Sequence, residues 1–373
     1  MSYSFVRGQQ TMALDERRNL AYLEALKKVI TPDSVVLDLG AGLGIHGLLA
    51  AQLGAKRVYL VEPEDIITVA DAIAKKNGFG DRVKCLHGKI EEVEIPEPVD
   101  VIVSVFTGNF LIEEDLLPSL FYARDRYLKP GGVLIPEAGI MQAVPVSVPN
   151  LYEDEIGVWS TPHLNLDPSP ARSYVSQSIH YCRGELANAQ YLAEPTKLMA
   201  LDFYTATSTH CNVDVKATIS EAGTCHGWAG WFNMLLGDTW LSTAPHEPLL
   251  HWSAAFLPID PPVDVEIGED VSLKLQRPPH GDWTWHVKFN QTQQQKSTLF
   301  GVPMTLKTIR KAAHDYQPHL SDRGKAILYV LSHSDGTQSV ESLSQQIRNE
   351  HPALFSNSQQ ALNFVQNLTH CFA

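Results

Sequence analysis

The sequence predicts an α/β domain, then an all-β barrel or sandwich, then a small helical domain. Three observations carry that reading. Between Ser34 and about Pro136 short apolar runs alternate with helical stretches. After about Ala143 helical periodicity fades, Pro and Gly become frequent, and half-buried strand patterns take over. From 303 onward, apolar positions again recur at helical spacing. A chain of 373 residues is also too long for one small core.

In order along the chain, residues 15–30 (DERRNLAYLEALKKVI) place Leu20, Leu23 and Leu26 on one face of an amphipathic helix that stops before Thr31-Pro32. SVVLDLG, RVYLVEP, VKCLHG, DVIVSVF and GGVLIP read as nearly continuous apolar strands. IHGLLAAQLG and ITVADAIAKKNG read as helices between them, so the sheet is expected to be parallel and covered on both faces. KATISEAG, SAAFLPI, VSLKLQ and WTWHVKF carry the half-buried pattern of the all-β unit. Residues 151–195 read as an irregular excursion from it. In the last 70 residues ILYVL, SVESLSQQI and QALNFVQNL are helical, Asp335-Gly336-Thr337 is a turn, and Ser356 with Gln359 fits a capping box.

Composition excludes several classes. Hydrophobic residues make up 44%, aromatics 9% and charged residues 19%, the make-up of a soluble globular protein rather than a disordered, collagenous or coiled-coil one. The formal charge is −13, and no basic tract is present, which argues against a nucleic-acid face or an anionic membrane surface. Five scattered cysteines show neither CxxC nor metal-ligand spacing, so reduced thiols and no metal site are expected. The N-terminus lacks an apolar targeting segment and no apolar run of membrane-spanning length follows, so a cytoplasmic protein is expected.

The strongest local motif is Val35-Val36-Leu37-Asp38-Leu39-Gly40-Ala41-Gly42-Leu43-Gly44, a strand running into a glycine-rich turn with a helix after it. Glycines let the backbone turn sharply and approach a ligand closely. A second strand ends in Glu62, where a carboxylate can accept both hydroxyls of a ribose. The layout suits a dinucleotide or an adenosyl cofactor. The spacing is GxGxG rather than GxGxxG, and with the leading Asp38 it favours S-adenosylmethionine over NAD. A tight turn that holds no ligand is the competing reading.

MALDERRNLAY, VVLDLGAGLGI, GKIEEVEI, VDVIVSVFTGNFLIEEDLLPS, YARDRYLKPGGVLIP, HGWAGWF, LSTAPHEPLLHW and EIGED follow one another over the first 300 residues. In these stretches the chain resembles the protein arginine methyltransferases, class I enzymes with a Rossmann-like domain followed by a β-barrel. The resemblance implies an N-terminal helical segment (1–30) closing the cofactor site, a Rossmann-like S-adenosylmethionine domain (31–143) and a β-barrel acceptor domain (144–300). It further implies that 155–190 is the place of a dimerisation arm in a homodimer, with Trp159, Leu164, Leu166, Tyr174, Val175 and Ile179 as candidate interface residues; that these residues cover the protein's own barrel is the competing reading. Residues 301–373 lie outside that architecture and are similar to small winged-helix domains that hold leader peptides; a plain helical appendage is the simpler reading.

Residue by residue, the resemblance implies that Arg18 pairs with the cofactor's carboxylate, that Asp38, Gly40 and Gly42 form its loop, that Glu62 binds the ribose and Glu91 lies beside the adenine. Met12 falls near the sulfonium and Tyr3 aligns with an active-site tyrosine. The family's acceptor loop, Ser-Glu-x-Met-Gly-Tyr with a second Glu nine residues after the first, is altered. Here it reads Ser104-Val105-Phe106-Thr107-Gly108-Asn109, and Glu114 alone keeps its place. Removing one carboxylate takes a charge-assisted hydrogen bond of roughly 1.5–3 kcal/mol from a guanidinium. Asp15 and His251 match a paired Asp and His beside the acceptor pocket, and a carboxylate-oriented imidazole can take a proton. Glu114, His251 and Asp15 are therefore the expected catalytic residues. The expected activity is S-adenosylmethionine-dependent methylation of a nonstandard amine, guanidine or hydroxyl on a small molecule or peptide. Two alternatives stand: true arginine methylation with Glu113 or Asn109 completing the clamp beside Glu114, and a cofactor-binding partner protein without turnover.

Overall fold

The computed structural model describes residues 5–372, which divide into two units, Met1–Pro303 and Met304–Ala373. The first opens with α1 (Val6–Ala13) and α2 (Glu16–Val29). Asp15 caps α2, its carboxylate accepting from the Arg18 backbone N–H at 3.1 Å. The stripe that α2 buries is Arg18, Tyr22, Ala25 and Leu26, at i, i+4, i+7 and i+8. The expected face of Leu20, Leu23 and Leu26 is thus turned, and Leu20 is 51% exposed. An apolar count overlooks Arg and Tyr, which bury their bodies while their tips find partners; the Tyr22 hydroxyl donates to the Ser104 carbonyl at 2.9 Å.

Five strands follow: β1 (Val35–Leu39), β2 (Arg57–Glu62), β3 (Val83–His87), β4 (Val99–Ser104) and β5 (Leu128–Ile135). They form a parallel sheet in the order β3-β2-β1-β4-β5. All five residues of β1 are buried, as both-face coverage by α3 (Ile45–Gln52), α4 (Ile67–Lys76) and α5 (Leu117–Tyr127) requires. The chain order reverses at β1, between β2 and β4, so the loops leaving the C-terminal ends of β1 and β4 diverge and open a crevice.

The second sheet system starts earlier than the expected boundary at 143, because β6 (Ala138–Ser147) already belongs to it. Short helices α6 (Pro149–Glu155) and α7 (Arg172–Val175) interrupt it. The remaining strands are β7 (His180–Cys182), β8 (Gln190–Tyr191), β9 (Thr196–Asp202), β10 (Cys211–Thr218), β11 (Gly223–Leu236), β12 (Thr239–Ser242), β13 (Ala254–Val265), β14 (Asp270–Arg277), β15 (Thr284–Lys288) and β16 (Gln293–Ser297). One sheet runs β7-β13-β11-β6-β8, with β9 on β6 and β12 on β11; the other runs β10-β14-β15-β16. Trp228, Phe232, Leu273 and Trp285 share the core of this barrel. In β11 eight consecutive residues from Cys225 are buried, so the two-residue alternation that marks a strand is lost from its sequence. In the excursion, Trp159, Leu164, Leu166 and Tyr174 are exposed, whereas Val175 and Ile179 pack inward.

The second unit contains α8 (Leu306–Lys311), α9 (Asp322–Ser332), α10 (Val340–Glu350) and α11 (Ser358–Phe372). Ala326, Val330, Leu343, Ile347, Phe364 and Val365 form its core. No strand occurs among its described residues, so the wing of a winged helix is not formed and the helical reading holds. The capping pair is displaced by one residue from Ser356/Gln359. The Gln360 side chain accepts from the Ser356 backbone N–H at 3.0 Å, and Asn357 accepts from the Gln360 N–H at 3.0 Å. Ile347 is fully buried; Ile347→Ala is expected to destabilise this unit by about 2–5 kcal/mol, measured as lost amide protection across α9–α11 in hydrogen exchange.

Candidate cofactor and acceptor site

A cavity of about 250 Å³ lies in the crevice beyond β1 and β4. Met12, Arg18, Gly40, Gly42, Glu62, Glu114 and His251 all line it. Asp38, Glu91 and Asp15 do not, and Tyr3 lies outside the described residues.

The turn after β1 needs its glycines. Gly40, Gly42 and Gly44 have φ of +68°, +54° and +78°, a region that side chains disfavour. A Cβ on Gly40 would meet the Phe106 ring, and one on Gly42 would meet the Gln9 side chain. Glu62, at the end of β2, accepts from the Gly42 N–H at 2.9 Å and from the Glu64 N–H at 3.0 Å. Its burial raises its pKa against those two bonds. Asp38 sits beneath the turn, accepts from the Gly47 N–H at 2.7 Å and is pushed up to about 7 by burial. Its contribution is to the shape of the loop. Glu91 is exposed and accepts from the Ser119 hydroxyl at 2.6 Å.

Arg18 is 4% exposed, yet no carboxylate lies within ion-pair distance among the described residues. Its guanidinium donates to the Met12 carbonyl at 2.5 Å and to Asn19 at 3.2 Å, and stands 5.9 Å from the centre of the Trp252 ring. Asp15 and Asp38 act on it only from beyond that distance, and a buried cation without a direct ion pair is costly. Facing a cavity, it marks where the anionic group of a ligand belongs. With the glycine turn and Glu62, this donor set fits the carboxylate, ribose and close backbone approach of S-adenosylmethionine.

The opposite wall is the loop after β4, and the barrel grips it at several points along its length. The Trp252 indole donates to the Thr107 carbonyl at 2.7 Å, and the Ser253 N–H to Asn109 at 2.9 Å. Phe110, Leu111 and Asp115 have φ of +48°, +66° and +53°, unusual for residues with side chains. Phe110 fills the space over Gly230, where a Cβ would come within 2.5 Å of its ring; Leu111 does the same over Gly139, at 2.6 Å. Asp115 receives both Arg277 nitrogens, at 2.8 and 2.5 Å, and the His280 N–H at 3.0 Å. Glu113 accepts from the Trp283 indole and is absent from the cavity wall. It therefore cannot complete a clamp beside Glu114, contrary to the expectation. What the loop presents to the cavity is Val105, Phe106, Thr107, Asn109, Glu114 and Leu116. Gln9 and His46 also line the cavity and were not among the residues expected from sequence. Gln9 carries no motif, and His46 is signalled only as a polar residue opening an apolar helix.

Asp15 and His251 are joined as expected. The His251 backbone N–H and Nδ1 both donate to one Asp15 oxygen, at 2.7 and 3.0 Å. That bond assigns the proton to Nδ1 and leaves the lone pair on Nε2. Burial alone would raise Asp15, but the bonds from His251 and the Arg18 N–H hold it low. Burial lowers His251 to about 4, against the pull of Asp15. A folded-state pKa below the unfolded value of about 6.5 means stability present at neutral pH and lost as pH falls from 6.5 toward 4. Between pH 7.5 and 5 this one group should remove about 2 kcal/mol; thermal melts at the two pH values should differ by less in His251→Asn than in the wild type.

With the geometry in view, the matches to known proteins are direct. The arginine methyltransferase oligomerization subdomain matches residues 137–294, and a methyltransferase domain matches 36–132. Protein arginine N-methyltransferase 2 of Dictyostelium discoideum is 35% identical over 243 residues, covering 62% of this chain and 47% of its own. The chain thus spans about half the length of that relative. Protein arginine N-methyltransferase 6 of Xenopus laevis is 32% identical over 290 residues, with 74% of this chain and 85% of the relative covered. The Trypanosoma brucei arginine methyltransferase enzyme–prozyme heterotetramer with AdoHcy shares the fold, with a TM-score of 0.71 at 24% identity over 80% of this chain and 99% of that one. Fold, ordered motifs and relatives agree: the chain belongs to the protein arginine N-methyltransferase family.

Proposed function

We propose that the chain is an S-adenosylmethionine-dependent methyltransferase and that its acceptor is an arginine side chain held by a substituted clamp. The observation that carries the first half is the buried Arg18, which has no direct ion pair among the described residues, sharing a cavity with the glycine turn and Glu62. Family membership supports the second half, and favours it over the nonstandard amine or hydroxyl acceptor expected from Val105.

When bound, S-adenosylmethionine supplies an electrophilic methyl group. The protein's part is to hold, orient and desolvate the acceptor. Glu114 offers one carboxylate to a guanidinium. Thr107 on the same wall is 1% exposed, and its hydroxyl, which has no hydrogen-bond partner among the described residues, is closed off from the cavity. Val105 covers the remaining side with apolar surface, so the grip is one-sided in charge. Glu114 and the Nε2 lone pair of His251 are the basic groups available for the proton that N-methylation releases. The exposed Leu164 and Leu166 of the 155–190 segment, 82% and 72% accessible, suit a homodimer contact.

A second reading is favoured by Val105 itself: a cofactor-binding chain that assists a catalytic partner, as the Trypanosoma brucei neighbour does in pairing an enzyme with a prozyme. Methyl transfer by the purified chain alone would remove that reading.

Calorimetry should show S-adenosylhomocysteine binding to the wild type and affinity weakened roughly tenfold or more in Glu62→Ala, the loss of hydrogen bonds to a charged group. Unchanged binding in Glu62→Ala would sink the cofactor assignment. Val105→Glu, by restoring the second carboxylate, should raise activity on arginine peptides; inactivity of both forms would count against an arginine acceptor.

A further inference from the structure

Asn109 lies on the acceptor wall with Glu114 and has no part in the chemistry above. The fold of the loop keeps the two close. The Asn109 carbonyl accepts from the Glu113 N–H at 3.3 Å, and a Cβ on the adjacent Gly108 would stand 3.0 Å from the Glu114 Cβ. Asn109 is partly accessible, and the Ser253 backbone N–H donates to its Oδ1 at 2.9 Å. An N–H bonds only to the oxygen of an amide, so this contact fixes which branch is which. The oxygen is turned to the barrel. Nδ2, on the other branch, has no hydrogen-bond partner among the described residues, yet it is not one of the unpartnered atoms that are shut off from water, as the Thr107 hydroxyl is. The side chain is a held donor left open on a residue of the cavity wall.

The chemistry of that donor selects its partner. A guanidinium carries donors and no acceptor, so Nδ2 has nothing to bond on it. With its oxygen held by Ser253, Asn109 does not complete the clamp beside Glu114 as its place in the sequence suggests. The anionic end of the cofactor and its ribose have Arg18 and Glu62 elsewhere in the cavity. The oxygen that Nδ2 lacks must come from another part of the acceptor. An arginine within a polypeptide brings main-chain carbonyls at the base of its side chain, and amide N–H to carbonyl is the ordinary neutral pairing of proteins. A small alkylguanidine brings no oxygen at all.

We propose that Asn109 is a specificity-determining residue: its Nδ2–H donates to a main-chain carbonyl of the acceptor polypeptide, next to the arginine whose guanidinium Glu114 holds. The inference rests on the arginine reading above and narrows it to arginine within a polypeptide. Because Ser253 fixes the amide, the donor is oriented before the acceptor arrives.

Calorimetry on the full chain saturated with S-adenosylhomocysteine tests it with an arginine peptide capped at both ends and with butylguanidine, which has the same reactive group and no main chain. Asn109→Asp keeps an oxygen for the Ser253 N–H and removes the donor. Its preference for the peptide, read as the ratio of the two Kd values, is expected to fall roughly fivefold or more, as loss of one hydrogen bond requires. The added negative charge acts on the guanidinium of both probes and cancels in the ratio, while butylguanidine binding reports an intact site. On the wild type, the same peptide with thioamides flanking the arginine, whose sulfur is a poorer acceptor, should bind several-fold more weakly. An unchanged ratio in Asn109→Asp would overturn the proposal, and so would a thioamide peptide that binds as tightly as its parent. An Asn109→Asp chain that loses affinity for S-adenosylhomocysteine with the ratio unmoved would assign the donor to the cofactor instead. If the wild type binds no S-adenosylhomocysteine, or once loaded binds neither probe, the underlying reading fails and takes this proposal with it.

Discussion

The first unit depends on how the loop after β4 is seated in the barrel. Phe110 and Leu111 enter notches that exist because residues 230 and 139 are glycine, and Arg277 closes on Asp115 behind them. Three non-glycine residues of that loop hold positive φ, each at a cost of about 1–2 kcal/mol. They persist because burial of two large side chains and a bidentate ion pair outweigh it. The parallel sheet and the barrel therefore meet through a keyed insertion, and the cavity is the space the key leaves open on its other side. What faces the ligand is the side of the loop turned away from the Phe110, Leu111 and Asp115 anchors.

Electrostatics complete the picture on the facing wall. α2 delivers Asp15 and Arg18 one turn apart, and the two go to different ends. Asp15 spends its charge on three N–H groups from its own cap and from His251. Arg18 is left with carbonyl and amide oxygens only. If the two had paired with each other, the charge of Arg18 would be balanced directly within the protein. Separated by the capping geometry, they give it a positive floor beside a neutral imidazole whose free nitrogen can accept a proton.

Much of this was legible in the sequence. The alternation in 34–136 located the parallel strands, and the GxGxG turn with Glu62 located the crevice, because tight turns and buried parallel strands are encoded locally. The stripe on α2 was misread, since Arg18 and Tyr22 are buried by partners far along the chain and only Leu enters an apolar count. β11 left no alternation to detect over its eight consecutive buried residues. In sequence Glu113 stands as a possible second member of the clamp beside Glu114; only the fold shows that Trp283 takes it and leaves Glu114 on the cavity wall. His46 passed as one polar residue in a helix start, because its place on the cavity wall is a property of the fold.

The glycine notches reach beyond packing. Gly230 and Gly139 lie on barrel strands and touch no part of the cavity wall, yet a single methyl group at either would press on the loop that carries Glu114 and Thr107. The aim of the loop's cavity-facing side chains is therefore set in part at those two barrel positions. Side chains on the loop's cavity-facing side, Val105 among them, can change while the notches that seat the loop stay the same.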